Sequence, residues 1–333
     1  MRDPAFWWRR SAAGTLLAPA GALYGLFTAA RMRQPGMRAA VPVICVGNLT
    51  LGGSGKTPTA IAIAQLLKQA GHAPVMLTRG YGGREHGPLR VAPDAHAQAV
   101  GDEPLLLARA APTIVAADRP AGAAVAVEHG ASIIVMDDGL QNPSLHKDLA
   151  LAVVDGRRGI GNARVFPAGP LRAPLVAQLD HIDAALVVGE PAGATPVIAA
   201  TLAHHRPVFH ATLMPDLATV EHWRTRRVLA FAGIGDPQKF FDTLAQAGID
   251  TVTCRAFPDH HRYTAQDAAD LVAAAEHDNL HLITTEKDLV RIAGDPGLAA
   301  LARRAAALPV TLVLQEPQAF ANFVLAALNR RAS

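Results

Sequence analysis

The sequence predicts an α/β fold: a mostly parallel sheet with helices on both faces, a second and smaller α/β lobe, and an N-terminal membrane-associated helix. From about residue 42 onward, short apolar runs alternate with segments of helical spacing, which is the pattern of repeated β-α units. The runs are apolar throughout, as strands buried on both faces are. The first forty residues differ, because they hold one uncharged segment between clusters of arginine.

The bulk composition is that of a folded chain in a reducing compartment. Half of the 333 residues are hydrophobic and 18% are charged, so the chain is not disordered and is long enough for two domains. The two cysteines, Cys45 and Cys254, lie far apart in apolar segments. We expect both to be buried as small apolar residues, and we expect neither a disulfide nor a metal site from them.

The net charge of +3 is unevenly distributed along the chain. Residues 1–40 carry +5, so the remaining residues carry −2. The early charge comes from six arginines and one acid, namely Arg2, Arg9, Arg10, Arg31, Arg33, Arg38 and Asp3. A nucleic-acid-binding protein spreads its basic charge over a folded surface, so we predict no nucleic-acid partner.

The uncharged segment, residues 11–30, is long enough to span a bilayer as a helix. It is nevertheless rich in alanine and glycine, and Pro19 lies in its middle. On a helical wheel, small residues form one stripe and bulky residues lie opposite: Gly14, Ala18, Gly21 and Gly25 against Leu16, Leu23 and Phe27. We predict a helix that lies at the membrane interface, with an ordinary packing helix and a true span as alternatives.

Strands and helices then follow in order. "VPVICVGN", "APVMLT", "TIVAAD", "SIIVMDD", "LALAVVDG" and "AALVVGE" are predicted strands, and "TPTAIAIAQLLKQAG" is a predicted helix that ends at Gly71. A second block of this kind begins near Arg227, with further strands in "HLITTEKDLVRI" and "PVTLVLQ". The predicted domains are 1–40 for the interfacial helix and its basic flanks, 41–202 for the main α/β domain, 203–226 for a connector or hinge, and 227–333 for the smaller lobe. The connector is polar, irregular and only weakly strand-like, and a small ribbon that lets the lobes hinge is the alternative.

A glycine-rich loop, "NLTLGGSGKTP" at residues 48–58, follows the first predicted strand and opens the helix. It matches the second half of the phosphate-loop consensus G-x-x-x-x-G-K-[ST], but Thr50 replaces the first glycine. The backbone N–H groups of Gly52, Gly53, Ser54 and Gly55 can surround an anion at the helix N-terminus. Lys56 can reach the β- and γ-phosphates, and the Thr57 hydroxyl can bind Mg²⁺. The main sheet is therefore predicted to be P-loop NTPase-like.

A pair of acids supplies the second part of a phosphoryl-transfer site. Asp137 and Asp138 directly follow the apolar strand "SIIVM", and an acid at such a strand end holds or orients the metal. Taken alone, the two acids are equally compatible with a cap on the turn into Gly139. The glycine-rich loop that precedes them in the chain favours the metal-side interpretation.

Further polar clusters lie beside the predicted strands. In "TRGYGGR", "GDEP" and "ADRP", Arg79, Arg84 and Arg119 can meet phosphate oxygens, and Asp102 can accept a proton from a hydroxyl. Each of them is equally compatible with a loop salt bridge. "FPDHHRY" has no matching set of Cys and His ligands, so a proton relay or a substrate contact is more economical than a metal site. "TTEKD" does not fit the guanine-reading N-K-x-D, which argues against a GTPase.

Seven motifs in this order, "GNLTLGGSGKTP", "RGYGG", "GDEP", "DDGLQN", "FPAGPLR", "FPDHHRY" and "TTEKD", resemble the tetraacyldisaccharide 4′-kinase (lipid A 4′-kinase) family of Gram-negative bacteria. The resemblance runs from about residue 5 to 325, and that family also has Thr at the first loop position. It implies ATP- and Mg²⁺-dependent phosphorylation of the 4′-hydroxyl of an acylated glucosamine disaccharide 1-phosphate. It also implies a two-lobed enzyme that binds the inner leaflet, at the cytoplasmic face of the inner membrane, through its N-terminal helix. We expect no obligate protein partner.

The resemblance also implies roles for single residues. Asp102 is similar to the family's hydroxyl-activating base, and His260, chosen over His261, to its partner. Lys56 and Thr57 carry over as phosphate and metal contacts, and Asp138 with its neighbour Asp137 as the metal-side acid. The expected substrate contacts are Tyr81, Arg79, Arg119 and Arg172. Two positions depart from the family pattern, since Asn142 stands in place of a histidine and Ala173 in place of an acid.

Two other functions share part of this pattern. A membrane-associated P-loop ATPase that acts as a switch would need the loop and the paired acids, but not Asp102 and a histidine from the other lobe. A membrane scaffold with a relic nucleotide site would not bind ATP with a metal ion. The full set of motifs favours the kinase.

Overall fold

The structure is a computed structural model that describes residues 4–9 and 11–332, with side chains described as far as residue 328. Arg2, Asp3 and Arg10, which contribute to the predicted N-terminal charge cluster, lie outside the described residues. The strands are β1 Val43–Asn48, β2 Pro74–Thr78, β3 Leu89–Arg90, β4 Thr113–Val115, β5 Ile133–Asp137, β6 Leu149–Asp155, β7 Ala184–Val188, β8 Val208–Pro215, β9 Arg227–Ala232, β10 Asp250–Ala256, β11 His281–Thr285, β12 Ala305–Leu308 and β13 Val310–Leu314.

The α-helices alternate with these strands along most of the chain. They are α1 Ala12–Leu16, α2 Ala18–Met32, α3 Lys56–Gln69, α4 Ala97–Val100, α5 Asp102–Ala110, α6 Arg119–Glu128, α7 Leu175–Leu179, α8 Thr195–Ala203, α9 Leu217–Arg224, α10 Pro237–Gln246, α11 Ala265–His277, α12 Glu286–Ile292, α13 Ala299–Arg304 and α14 Pro317–Ala332. The predicted helix after the glycine-rich loop is α3, and Gly71 beyond its end has the left-handed φ of +85° that favours glycine at a helix stop.

The larger sheet of the described residues has the strand order β13-β8-β7-β6-β1-β5-β2-β4-β3. Neighbouring strands run parallel except at its two ends, where β13 pairs with β8 and β3 pairs with β4 in antiparallel fashion. Alternate residues of β1 enter two separate cores. Val43 and Cys45 face the side covered by α6 and α8, while Ile44 and Val46 face α3 and α14. The predicted mostly parallel sheet with helices on both faces is confirmed.

The smaller sheet has the order β10-β9-β11-β12, and all of its pairs are parallel. Phe240 and Leu244 of α10 cover one face, and Leu271 of α11 with Leu301 of α13 covers the other. This sheet is the predicted second and smaller α/β lobe.

Residues 203–226 are more regular than the polar, irregular connector that the sequence predicts, and their strand fits the ribbon alternative. They contain the regular strand β8, which pairs with β7 and β13, and the helix α9. The C-terminal boundary differs too, because β13 and α14 pack with the larger sheet and not with the smaller lobe. The chain therefore leaves the larger sheet through β8 and returns through β13. A hinge motion of this two-stranded ribbon stays a prediction.

The N-terminal segment forms α1 and α2, and its small-residue stripe is a packing surface. Gly14, Gly21 and Gly25 lie against residues 165–174, and a Cβ on Gly21 would come within 2.7 Å of the Val165 carbonyl oxygen. The bulky residues on the opposite side point outward: Leu16, Leu23, Leu26 and Phe27 are all exposed. None of the helices in the described part of the chain combines the length and the hydropathy that a bilayer span needs.

The expectation of two buried cysteines is wrong for one of them. Cys45 lies in the central strand β1, and burial raises the pKa of its thiol to about 11. Cys254 lies on β10, at the edge of the smaller sheet, and is exposed. An apolar neighbourhood in sequence does not distinguish an edge strand from a central strand, because that difference depends on which strands pair.

Candidate active site

A cleft of about 1220 Å³ is lined by residues of both lobes. The larger lobe contributes the glycine-rich loop and segments that follow the carboxyl ends of β1, β2 and β5, where ligands bind in open α/β sheets. The smaller lobe contributes residues that follow β9, β10 and β11, including Asp236, His260 and Lys287. The predicted phosphate site therefore faces side chains from the other lobe.

The glycine-rich loop has the backbone shape that a phosphate cradle needs. Gly52 and Gly55 have φ values of +98° and +94°, which L-residues rarely adopt. A Cβ on Gly53 would meet nothing within 4 Å, so the loop's inner surface is open. Thr50 is not among the residues with positive φ, and its carbonyl accepts a hydrogen bond from Arg172 Nε at 3.0 Å. A threonine at the first loop position is therefore unstrained.

The residues beside the loop fit a Mg²⁺ ion. Thr57 Oγ1 donates to Asp137 Oδ2 at 3.3 Å, while Asp137 Oδ1 and Ser54 Oγ are buried without a hydrogen-bond partner. Burial, with the charge of Glu103 next, raises the pKa of Asp137 to about 7. Buried polar atoms are normally paired, and hydroxyl and carboxylate oxygens are the donors that Mg²⁺ prefers. Metal and phosphate oxygens would supply the missing partners.

Asp138 lies beside two cationic side chains. Arg172 donates from Nη1 and Nη2 to its two carboxylate oxygens at 2.9 and 3.1 Å, and Lys56 Nζ lies 3.9 Å away. Burial alone would raise the pKa of Asp138, but the charges of Lys56 and Arg172 lower it below its ordinary value. Asp138 is therefore an ionised carboxylate beside the loop lysine, with Arg172 tying it to the backbone of Thr50.

The two lobes bring Asp102 and His260 together. Asp102 is the first residue of α5, His260 follows β10, and Asp102 Oδ2 lies 3.6 Å from His260 Nδ1. Burial would raise the pKa of Asp102, but the polar contact with His260 and the charges of Arg291 and Lys287 lower it below its usual range. His260 lines the cleft, whereas Asp102 is buried behind it. The predicted pair is present, with the histidine as the member that meets the cleft.

Two contacts to the "GDEP" segment were missed by the sequence reasoning. Lys287 donates to Glu103 at 2.7 Å, and Arg291 Nε donates to Asp102 at 2.8 Å. Lys287 and Arg291 are four residues apart on α12 and therefore lie on one face of that helix. The sequence signal for these contacts was two cations at this helical spacing, together with two consecutive acids elsewhere in the chain. The "TTEKD" motif, which fits no nucleotide-reading pattern, thus docks one lobe on the other.

The expected substrate contacts all line the cleft: Tyr81, Arg79, Arg119 and Arg172. The Tyr81 ring is 61% exposed, and its centroid lies 5.0 Å from that of His260 in an edge-on arrangement. Arg119 is buried at the start of α6, and its Nε has no hydrogen-bond partner. Arg84 is exposed and is not among the described residues that line the cleft.

The two adjacent histidines have different surroundings, and His260 is the one of them that is among the described residues lining the cleft. His261 Nε2 lies 3.0 Å from Asp267, and its ring stacks on Phe257 inside the smaller lobe.

Of the two positions that depart from the family pattern, Asn142 lines the cleft and accepts the Ser144 N–H at 2.9 Å. Ala173 is fully buried. No acid could occupy that space without losing its hydration.

Comparison with known proteins gives one consistent result. A family model described as "Tetraacyldisaccharide-1-P 4'-kinase" matches residues 13–329. The tetraacyldisaccharide 4′-kinase of Rhodopseudomonas palustris (strain BisA53) is 53% identical over 329 residues, which is 98% of this chain and 96% of that protein. The protein of the same name from Methylobacterium nodulans is 55% identical over 322 residues, with 96% and 94% covered.

A solved structure shares the arrangement of both lobes. The crystal structure of the "apo" form of LpxK from Aquifex aeolicus in complex with ATP superposes with a TM-score of 0.74 at 26% sequence identity. The match covers 95% of this chain and 99% of that one.

Proposed function

The chain belongs to the tetraacyldisaccharide-1-P 4′-kinase family, and we propose how the residues of its cleft carry out that family's reaction. It is a kinase of lipid A biosynthesis that transfers a phosphoryl group from ATP, with Mg²⁺, to the 4′-hydroxyl of a tetraacylated glucosamine disaccharide 1-phosphate. The observation that carries our assignment is that one cleft is lined by both the glycine-rich loop and His260, and that His260 lies 3.6 Å from the buried Asp102.

On the donor side, the glycine-rich loop holds the phosphates of ATP. The backbone N–H groups of residues 52–55 and the N-terminus of α3 surround the anion, and Lys56 neutralises charge on the β- and γ-phosphates. The oxygens of Thr57, Asp137 and Asp138 would hold Mg²⁺. When bound, that ion neutralises the charge that develops on the phosphate oxygens.

On the acceptor side, the Asp102–His260 pair takes the proton of the 4′-hydroxyl. His260 lines the cleft and is the member that meets the hydroxyl. The ionised Asp102 behind it orients the ring and stabilises the positive charge that the ring acquires. The hydroxyl oxygen attacks the γ-phosphorus, the bond to the β-phosphate oxygen breaks, and ADP leaves. Tyr81, Arg79, Arg119 and Arg172 hold the acceptor and the transferred group.

The N-terminal helix brings this cleft to the membrane. The acyl chains of the acceptor remain in the bilayer, so we propose that the exposed side of α2 inserts into the surface of the cytoplasmic leaflet of the inner membrane. Leu23 and Phe27 supply apolar area there, and the flanking arginines attract anionic lipid. Arg31 in the last turn of α2 lines the cleft, so the helix that faces the membrane ends at the mouth of the site. The proposal involves neither an obligate protein partner nor nucleic acid.

A transfer assay tests the assignment. The purified protein is incubated with γ-labelled ATP, Mg²⁺ and the acylated disaccharide 1-phosphate in detergent, and label is followed into the lipid. We expect 4′-labelled lipid that disappears with Lys56→Ala and falls about 100-fold or more with Asp102→Asn or His260→Ala. Label released only as free phosphate, unaffected by Asp102→Asn, would instead support the ATPase switch.

A further inference from the structure

The guanidinium group of Arg291 contacts Asp102 directly and is connected to His260 through a backbone carbonyl that both of them contact. We propose that Arg291 is a positioning residue for phosphoryl transfer. It holds Asp102 of the larger lobe and the backbone of His260 of the smaller lobe in a fixed relative position. The inference rests on the function proposed above for that pair. Among the described residues, the Arg291 side chain donates its hydrogen bonds to Asp102, Gly233 and Asp288, and not to the glycine-rich loop or the paired acids. Its contribution is therefore separate from nucleotide binding.

The first half of the link is the contact with Asp102. The Arg291 side chain is 9% exposed. Its Nε donates to Asp102 Oδ2 at 2.8 Å, and its Nη2 donates to the same oxygen. Because Nε and Nη2 belong to one rigid plane and converge on one oxygen, this contact fixes where Asp102 Oδ2 lies relative to the guanidinium group. Asp102 belongs to the larger lobe and Arg291 to the smaller, so the contact also fixes where α12 docks.

The second half of the link is the backbone that presents His260. Arg291 Nη1 donates to the Gly233 carbonyl at 2.6 Å, and that same carbonyl accepts the backbone N–H of His260 at 3.1 Å. His260 has a φ of +54°, a left-handed conformation that few residues other than glycine adopt. Such a conformation persists only where the surroundings hold it, and the Gly233 carbonyl is one of those restraints.

A buried carboxylate holds the guanidinium from behind. Asp288 is fully buried and accepts from Arg291 Nη1 at 2.8 Å, from Tyr263 Oη at 3.0 Å and from the Gly233 N–H at 3.1 Å. Its partners therefore include both Arg291 and the residue whose carbonyl Arg291 contacts. The guanidinium is confined between Asp288, Gly233 and Asp102, and it has little freedom to move with one lobe alone.

This placement makes two effects of Arg291 separable. One is geometric, because the planar fork meets Asp102 and Gly233 at once. The other is electrostatic, because its charge, with His260 and Lys287, favours the ionised form of Asp102, while Glu103 lies beside Asp102 with the opposite effect. A methionine removes both effects, a glutamine keeps hydrogen-bond donors without charge, and a lysine keeps the charge without the fork.

The test compares Arg291→Met, Arg291→Gln and Arg291→Lys with the wild-type chain in the lipid-labelling assay between pH 5 and 9. For the methionine variant we expect kcat to fall about 100-fold, because small misplacement of reacting groups has costs of this size. The KM for ATP is expected to stay within about threefold. The acid limb of the pH–rate profile is expected to move to higher pH, because loss of a nearby cation makes the Asp102–His260 pair easier to protonate. Lysine should restore the limb but only part of kcat.

Two further variants distinguish a failure of the proposal for Arg291 from a failure of the function proposed for the Asp102–His260 pair. Gln98→Ala removes an exposed contact between the lobes, from Gln98 Nε2 to Asp295 at 3.0 Å, and should leave kcat and the acid limb unchanged. Asp102→Asn tests the pair itself. If Asp102→Asn is inactive while Arg291→Met keeps kcat within about threefold and an unshifted limb, Arg291 has no positioning role. If Asp102→Asn is active, the function proposed for the pair fails. Should the methionine variant not fold, the same criteria apply to glutamine.

Discussion

Lys287 of the smaller lobe donates a hydrogen bond to Glu103 of the larger lobe at 2.7 Å, and both residues line the cleft. Burial would lower the pKa of Lys287, but the charges of Glu103 and Asp102 raise it above its ordinary value. Burial would likewise raise the pKa of Glu103, and the charges of Lys287 and Lys56 lower it. The lobes are thus joined by an ionised pair next to the glycine-rich loop.

Breaking this pair on one side should destabilise the protein. Lys287→Met leaves Glu103 without its cation, and we expect the free energy of unfolding to fall by about 1–3 kcal/mol, below the range for fully buried pairs because both side chains are partly exposed. The double variant with Glu103→Gln should lose less than the sum of the single losses, since no lone charge remains. Urea unfolding of Lys287→Met, Glu103→Gln and the double variant measures these losses.

The pH dependence of this contribution has a defined sign. The pKa of Glu103 is lower in the folded chain than its ordinary value of 4.5, so the pair stabilises above pH 4.5 and the contribution is lost as the pH falls through the folded-state pKa. Arg224→Met, which removes an exposed pair with Glu221, serves as the control and should cost less than about 0.5 kcal/mol. Additive losses in the double variant would contradict direct coupling.

The paired acids should control the requirement for Mg²⁺. Asp137→Asn keeps the shape of the side chain but removes a carboxylate beside Thr57, so we expect the Mg²⁺ concentration for half-maximal transfer to rise about 10- to 100-fold. The measurement is a Mg²⁺ titration of the lipid-labelling rate at saturating ATP. Asp180→Asn, at an exposed acid, is the control. An unchanged Mg²⁺ requirement for Asp137→Asn would remove this residue from the metal site.

The exposed face of α2 should determine membrane binding. Leu23 and Phe27 are 71% and 68% exposed, so replacing both with glutamine leaves the described core intact. Each such side chain contributes about 1.5–3 kcal/mol when it is fully buried in an apolar phase, so we expect binding to anionic phospholipid vesicles to weaken about 100-fold or more. Leu217→Gln, at an equally exposed position on α9, should have no effect in vesicle sedimentation. Equal binding of all three proteins would rule out α2 as the membrane contact.

The opposite side of α2 gives a prediction in which two effects compete. In a free helix, Gly21→Ala would stabilise by about 1 kcal/mol through helix propensity. In this structure the new Cβ lies 2.7 Å from the Val165 carbonyl oxygen, and overpacking of that kind costs about 1–3 kcal/mol. We therefore expect a net loss, read as lower urea resistance and faster proteolysis within residues 11–32. Gly25→Ala, where the nearest contact is 3.1 Å to Pro174, should lose less. A stabilised Gly21→Ala would mean that α2 does not pack here.

The donor side of the site was predictable because its contacts are local in sequence. A strand, a loop with glycines at 52 and 55, and a helix that begins at Lys56 place the anion-binding groups within a dozen residues. Helix geometry likewise separated the small residues of α2 from its bulky residues, and the structure adds that the small side packs against residues 165–174. The acceptor-side pair of Asp102 and His260 came from a resemblance in ordered motifs and not from any spacing rule.

Other features depended on which distant segments meet. Arg291 and Asp102 are 189 residues apart in sequence, and their contact exists only because α12 docks on α5. Strand β8 is regular because β7 and β13 pair with it on either side, and Cys254 is exposed because β10 is an edge strand. The sequence by itself determined the sheet type, the phosphate loop and the donor-side residues, since short-range geometry and hydrophobic pattern control them. Strand pairing and the docking of the two lobes decided the rest, because contacts between residues far apart along the chain leave no local pattern.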